Sequence, residues 1–188
     1  MPRSGKEARL RLRQAAIDLF LERGFDAVTT AEIAERAGVT ERTYFRHFAD
    51  KREVLFDEEN VLTEALTAAL ADVPEGEPPL PTMLRAFRAV VPMLEGNRPV
   101  SEPLARVVAA TPALRERQVA KGARLVEMLT EALRDRGVDG EVAALVAQTG
   151  WATVALAMRR WMVDPSGGLE AQVERAFRQL RAVVAELD

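Results

Sequence analysis

Two arginines one helical turn apart, Arg42 and Arg46, flank an aromatic, Phe45, within the stretch AGVTERTYFRHF at 37–48. The same twelve residues hold the only tyrosine, Tyr44, and the only histidine, His47. A guanidinium reaches guanine O6 and N7 through two parallel hydrogen bonds, and a good pair discriminates by about 1–3 kcal/mol. Thr40, Thr43 and His47 are short or planar donors suited to phosphate oxygens, and Lys51 follows closely. Phe45 can touch a thymine methyl. The chemistry these residues offer is recognition of a polyanion that carries base edges.

Such side chains act only if the backbone presents them outward. Thr29, with Glu32 three residues on, predicts a capped helix over 29–37, and Gly38-Val39 supply a tight turn. Thr40 then caps a second helix over 40–47. On it Tyr44 and Phe48 stand one turn apart and are expected to pack inward against residues such as Phe20 and Leu55. Glu41, Arg42, Phe45 and Arg46 fall on another face, away from the core.

The remainder also predicts helix. A first helix is expected over 6–23, with Leu10, Ala16, Ile17, Phe20 and Leu21 at helical spacing. A fourth, capped by Asp50 and carrying Glu53 at its third position, should run over 50–71, with Lys51 and the free amides at its start favouring phosphate. The proline-rich acidic segment 72–81 reads as a loop. Further helices are expected over 82–95, 101–110, 112–136, 140–163 and 169–187. The fold class is all-α, about nine helices, with a helix-turn-helix ahead of a larger helical domain.

Composition narrows function. Of 188 residues, 48% are hydrophobic and 29% charged, the balance of a soluble globular chain. With no cysteine and one histidine, disulfides and thiolate metal sites are excluded and zinc catalysis is disfavoured. No nucleophile elbow, phosphate-binding glycine loop or metal-ligand cluster is present, so no enzyme and no cofactor are expected. No apolar run approaches the roughly 18–20 residues of a membrane span, and MPRSGKEARLRLR lacks the apolar core of a signal peptide. A cytoplasmic protein without a membrane partner is expected. Residues 1–56 carry eleven Lys/Arg against nine Asp/Glu, while the rest carries 15 against 20. That layout suits a molecule that sets one end against a polyanion.

Residues 9–55, carried by GFDAVTTAEIAERAGVT and RTYFRHFADKREVLF, resemble the N-terminal domain of the TetR family of transcriptional regulators. The resemblance implies a DNA-binding domain over 1–50 and a ligand-binding and dimerisation domain over 51–188. It implies phosphate contacts at Thr29, Thr30, Thr43, His47 and Lys51, and base-facing roles for Glu41, Arg42, Phe45 and Arg46. It also implies a repressor that binds a pseudo-palindromic double-stranded operator as a homodimer and is released by a small-molecule effector. Phe45 stands where the family commonly has tyrosine and Tyr44 where it has an aliphatic residue, so the phenolic phosphate contact is lost.

Two late helices are patterned for partners. Over 169–187, Leu169, Val173, Ala176, Leu180, Val183 and Leu187 repeat at 4,3,4,3,4, as in a helix–helix seam. Over 140–163 one stripe is Val142, Leu145, Thr149, Ala152, Leu156 and Val163. A second is Ala144, Gln148, Trp151, Ala155, Met158 and Met162, so one stripe should face its own domain and the other a second copy. Met83, Phe87, Met93, Met128, Trp151 and Met158 supply adaptable apolar lining for an effector, with Gln148 and Thr149 to orient it. The segment 104–137, through ATPALRERQ and AKGARLVEML, is similar to the C-terminal domain of mycofactocin-associated regulators. That similarity implies an acyl-CoA-like effector. Arg106, Arg115, Arg117, Lys121, Arg124, Arg159 and Arg160 are available for its phosphates.

Overall fold

The computed structural model describes residues 3–56 and 59–187. Among these residues there are nine α-helices and no strand. They are α1 (Arg3–Arg23), α2 (Thr30–Arg36), α3 (Glu41–His47), α4 (Glu59–Ala71), α5 (Pro79–Gly96), α6 (Arg98–Ala110), α7 (Pro112–Asp135), α8 (Gly140–Val163) and α9 (Gly168–Val184). Single 3-10 turns occupy Glu53–Leu55 and Ala185–Leu187.

The chain forms two compact units. One comprises residues 1–59 with 99–119, the other 60–98 with 120–188. The motif alone suggests a division at 50/51; by compactness the first unit also takes in most of α6 and the start of α7. The reason is apolar: Val107, Val108 and Leu114 join Leu12, Phe20, Ile33, Tyr44, Phe48 and Leu55 in one buried cluster.

Within the first unit α2 and α3 start where their caps predict. Thr29 and Glu32 form a reciprocal capping box, and the Thr40 side chain accepts from the Thr43 amide. Gly38 turns the chain between them at φ 68°, a left-handed conformation that costs glycine nothing. Of the stripe expected on α1, Ala16, Ile17 and Phe20 are buried, whereas Leu10 and Leu21 are 58% and 44% exposed and Leu12, Ala15 and Leu19 are buried in addition.

The helix expected over 50–71 is interrupted. Asp50 accepts from the amides of Arg52 and Glu53, but it caps only the 3-10 turn, and α4 begins at Glu59. Val54, Leu55 and Phe56 are all buried. Three consecutive side chains span about 200° of an α-helix, so no single face of a continuous helix could carry all three into the core. The loop expected over 72–81 ends sooner, because α5 starts at Pro79; proline is tolerated in a first turn, where no amide partner is lost. Helix α6 likewise begins at Arg98, ahead of the expected 101.

The second unit is built on α5, α8 and α9, which pack mutually. The buried stripe of α8 is Ala143, Ala147, Gly150, Val154, Ala157 and Trp161, a row lying between the two stripes read from sequence. Small residues let the neighbouring helix come close: a Cβ on Gly150 would lie 2.8 Å from Met83 Cε of α5. Val142, Leu145 and Val163 stay 45%, 65% and 88% exposed. Contrary to expectation, α8 is long and apolar enough to cross a bilayer, with mean hydropathy 1.3 over its most apolar stretch. The α9 seam is buried at Leu169, Val173 and Ala176 and exposed at Val183. The first amides of α9 lack a side-chain cap from Gly167; the Glu95 carboxylate of α5 accepts from Leu169 N at 2.6 Å instead.

Candidate nucleic-acid interface

Helix α3 is two-faced. Tyr44 and Phe48 are 0% and 3% exposed, and the Tyr44 hydroxyl donates to the Asp50 carbonyl at 3.1 Å. Burial pushes the Tyr44 phenol above its ordinary range, so it remains a neutral donor. With that face anchored, Glu41, Arg42, Phe45 and Arg46 are presented to solvent, Phe45 at 53%.

Four other arginines of the first unit pair with carboxylates. Arg23 pairs with Glu32 at 2.7 Å and Arg36 with Glu22 at 2.9 Å. Arg52 pairs with Asp50 at 3.2 Å, and Arg117 pairs with Glu53. Arg42 and Arg46 make no hydrogen bond or ion pair among the described residues. Two unpaired guanidinium groups beside an exposed phenylalanine form a face that can accept an external anion.

The hydroxyls expected to hold phosphates have internal roles. Thr29 Oγ1 donates to Glu32 Oε2 at 2.8 Å, and its amide donates to the same oxygen at 2.7 Å. That amide first, then Arg23, lowers the Glu32 carboxyl to about 2. Thr40 and Thr43 share a hydroxyl contact of 3.1 Å, while Thr30 Oγ1 donates to Glu41 Oε1 at 2.6 Å. His47 is half-buried, with Nε2 enclosed and unpartnered among the described residues. Burial, then Arg46 and Arg9, lowers its pKa, so the ring is neutral near pH 7.

Lys51 differs most from expectation. No helix begins there, and its ammonium donates to the carbonyls of Phe25 and Val28 at 2.8 Å each, 4.2 Å from the Phe25 ring centroid. It ties down the segment that enters α2. Replacing it by methionine keeps the stem and strands two carbonyls, so Lys51→Met is expected to cost the fold about 1–3 kcal/mol in chemical denaturation. An unchanged midpoint would show that the staple contributes nothing.

Of the basic N-terminal stretch, the side chains of Arg3 and Lys6 lie outside the described residues. Arg13 is buried at 4% exposure, and burial lowers its pKa. Arg11 is exposed, and its Nη1 lies 3.9 Å from where a Cβ on Gly38 would stand. It therefore sits beside the helix-turn-helix turn, a position that counting charges could not reveal.

The effector residues are brought together only in part. Met83 and Phe87 are buried, and the Phe87 and Trp151 rings stack at 6.4 Å. The Met128 sulfur accepts from the Thr67 hydroxyl at 3.5 Å. Met93, Thr149 and Met158 are half-buried, whereas Gln148 is exposed. These residues form packed core and its margin. A cavity of about 530 Å³ in the same unit lies elsewhere, lined by Glu75, Glu77, Thr82, Leu133, Asp135 and Arg136 among others. Among the described residues no group of three His, Asp or Glu could hold a metal ion.

Residues 12–57 match the family model of bacterial regulatory proteins, tetR family. That match spans the helix-turn-helix and covers 46 of the 188 residues. It is 44% identical over 86 residues to the HTH-type transcriptional regulator TcmR of Streptomyces glaucescens, covering 46% of this chain and 38% of that regulator. The chain thus spans under half the length of the curated relatives it matches. Those relatives carry the name HTH-type transcriptional regulator. The fold extends further. A TetR-family regulator structure from Syntrophomonas wolfei aligns over 96% of both chains, with TM-score 0.70 and 18% identity. Thermus thermophilus FadR, a TetR-family repressor in complex with lauroyl-CoA, aligns over 92% of both chains, with TM-score 0.53 and 25% identity.

Proposed function

We propose that this protein is a ligand-responsive repressor of the TetR family that binds a pseudo-palindromic operator as a homodimer. The carrying observation is the exposed, unpaired Arg42 and Arg46 on a helix whose opposite face is locked into the core. In this reading residues 1–50 form the reading head and 51–188 the regulatory part. Arg42 and Arg46 read base edges and Phe45 meets a thymine methyl. Thr43 and the start of α2 lie against phosphates, and a duplex partner places the protein in the cytoplasm.

The outward stripe of α8 supports dimerisation. Val142, Leu145 and Val163 are exposed apolar residues of one stripe, and Val183 and Val184 of α9 are 62% and 52% exposed. A second copy is the self-complementary occupant a two-fold operator requires. For the effector we favour a small apolar or acyl-type molecule. FadR was solved with lauroyl-CoA, and Met83 beside Gly150 is a flexible side chain that can yield space between α5 and α8. The effector releases DNA to the extent that it binds the non-operator arrangement more tightly.

The test is selection of genomic fragments by the purified protein. Enrichment of one inverted repeat, with half-sites about 34 Å or a multiple apart, is the expected result. Recovery without any enriched inverted repeat would reject the reading.

A further inference from the structure

Glu41 is an acidic residue on the face offered to a polyanion, which calls for a reason. It is exposed at the first position of α3, beside Arg42 and one turn before Phe45. Its direction is set from outside its own helix: Thr30, the first residue of α2 and half-buried, donates its hydroxyl to Glu41 Oε1 at 2.6 Å. The second oxygen, Oε2, makes no hydrogen bond among the described residues. Because Thr30 spends its proton on the carboxylate, its hydroxyl is no longer a donor for phosphate.

A fixed carboxylate at a duplex surface is repelled by phosphates and by every acceptor in the major groove. The donors available to it there are the exocyclic amino groups, N4 of cytosine and N6 of adenine. The two differ in what lies alongside: adenine N7 presents a lone pair next to N6, whereas cytosine C5 carries only hydrogen. Guanine O6 and thymine O4 offer lone pairs alone. Resting on the operator-binding reading above, we propose that Glu41 is a specificity-determining residue that accepts from cytosine N4 in each half-site. Thr30 is the positioning residue that aims it.

The experiment uses the full-length protein and the repeat it selects, with every half-site position changed to each of the four base pairs. Wild type is expected to prefer cytosine by about tenfold or more at one position. Glu41→Ala should flatten that position to within about twofold while preferences elsewhere persist. Glu41→Gln should move the preference towards adenine, whose N6 and N7 suit a carboxamide. Thr30→Val should lose several-fold of the discrimination and Thr30→Ser should restore it, a rescue that a purely structural role would not produce in base preference. Melting curves verify that each variant is folded. An enriched repeat whose preferences all survive Glu41→Ala overturns the inference alone. A wild type that enriches no repeat overturns it together with the reading beneath it.

Discussion

Operator binding is expected to weaken by on the order of a thousandfold or more as salt rises from about 50 to about 200 mM. Each lysine or arginine set against a phosphate releases condensed counterions, and the log–log slope is about −0.9 per neutralised phosphate. Arg11, Arg42 and Arg46 are exposed cations of the helix-turn-helix region without an ion pair among the described residues, so two copies bring roughly six positive charges to the duplex and a slope near −5. The rest of the chain cannot add to this, since residues beyond 56 carry 15 Lys/Arg against 20 Asp/Glu. Fluorescence anisotropy on the selected operator at several salt concentrations measures the slope. A nearly flat plot would remove nucleic acid as the polyanion.

The second large effect concerns assembly. If the proposed dimer forms through α8, placing glutamates at Val142 and Leu145 together should split it and lower operator affinity by about 10²–10⁴-fold. The two half-sites would then no longer be engaged as one intramolecular event. Both side chains are solvent-facing in the single chain, at 45% and 65%, so the substitution leaves the protomer fold intact. Native mass spectrometry reads the assembly and anisotropy the affinity. A double variant that stays dimeric and binds as wild type would move the self-interface off α8.

The reading head was legible because its signals are local. Thr29 with Glu32, and Thr40 at the next start, fix two helix beginnings within four residues of sequence, and Asp139 does the same for α8 by accepting from Glu141 N and Val142 N. The two faces of α3 follow from helical spacing once its start is known. What could not be read depends on distant partners. The break at Glu53–Leu55 arises because three successive apolar residues all meet a core completed by Val107 and Leu114. Lys51 looks like a phosphate ligand until the carbonyls of Phe25 and Val28, more than twenty residues away, are seen to hold it. The core stripe of α8 escaped notice because alanine and glycine carry little hydrophobic weight, although they decide how near α5 can come. The methionines chosen as effector lining were read by chemical type, which cannot separate a packed interior from an open pocket.

The carboxylate that α5 lends to the beginning of α9 bears on what can stand at position 168. A Cβ on Gly168 would stand 3.1 Å from Glu95 Oε1, and the glycine itself holds φ 78°. The left-handed backbone alone favours glycine at 168, and any side chain there would also crowd the borrowed carboxylate, so one exchange would strain the bend and disturb the donated cap together.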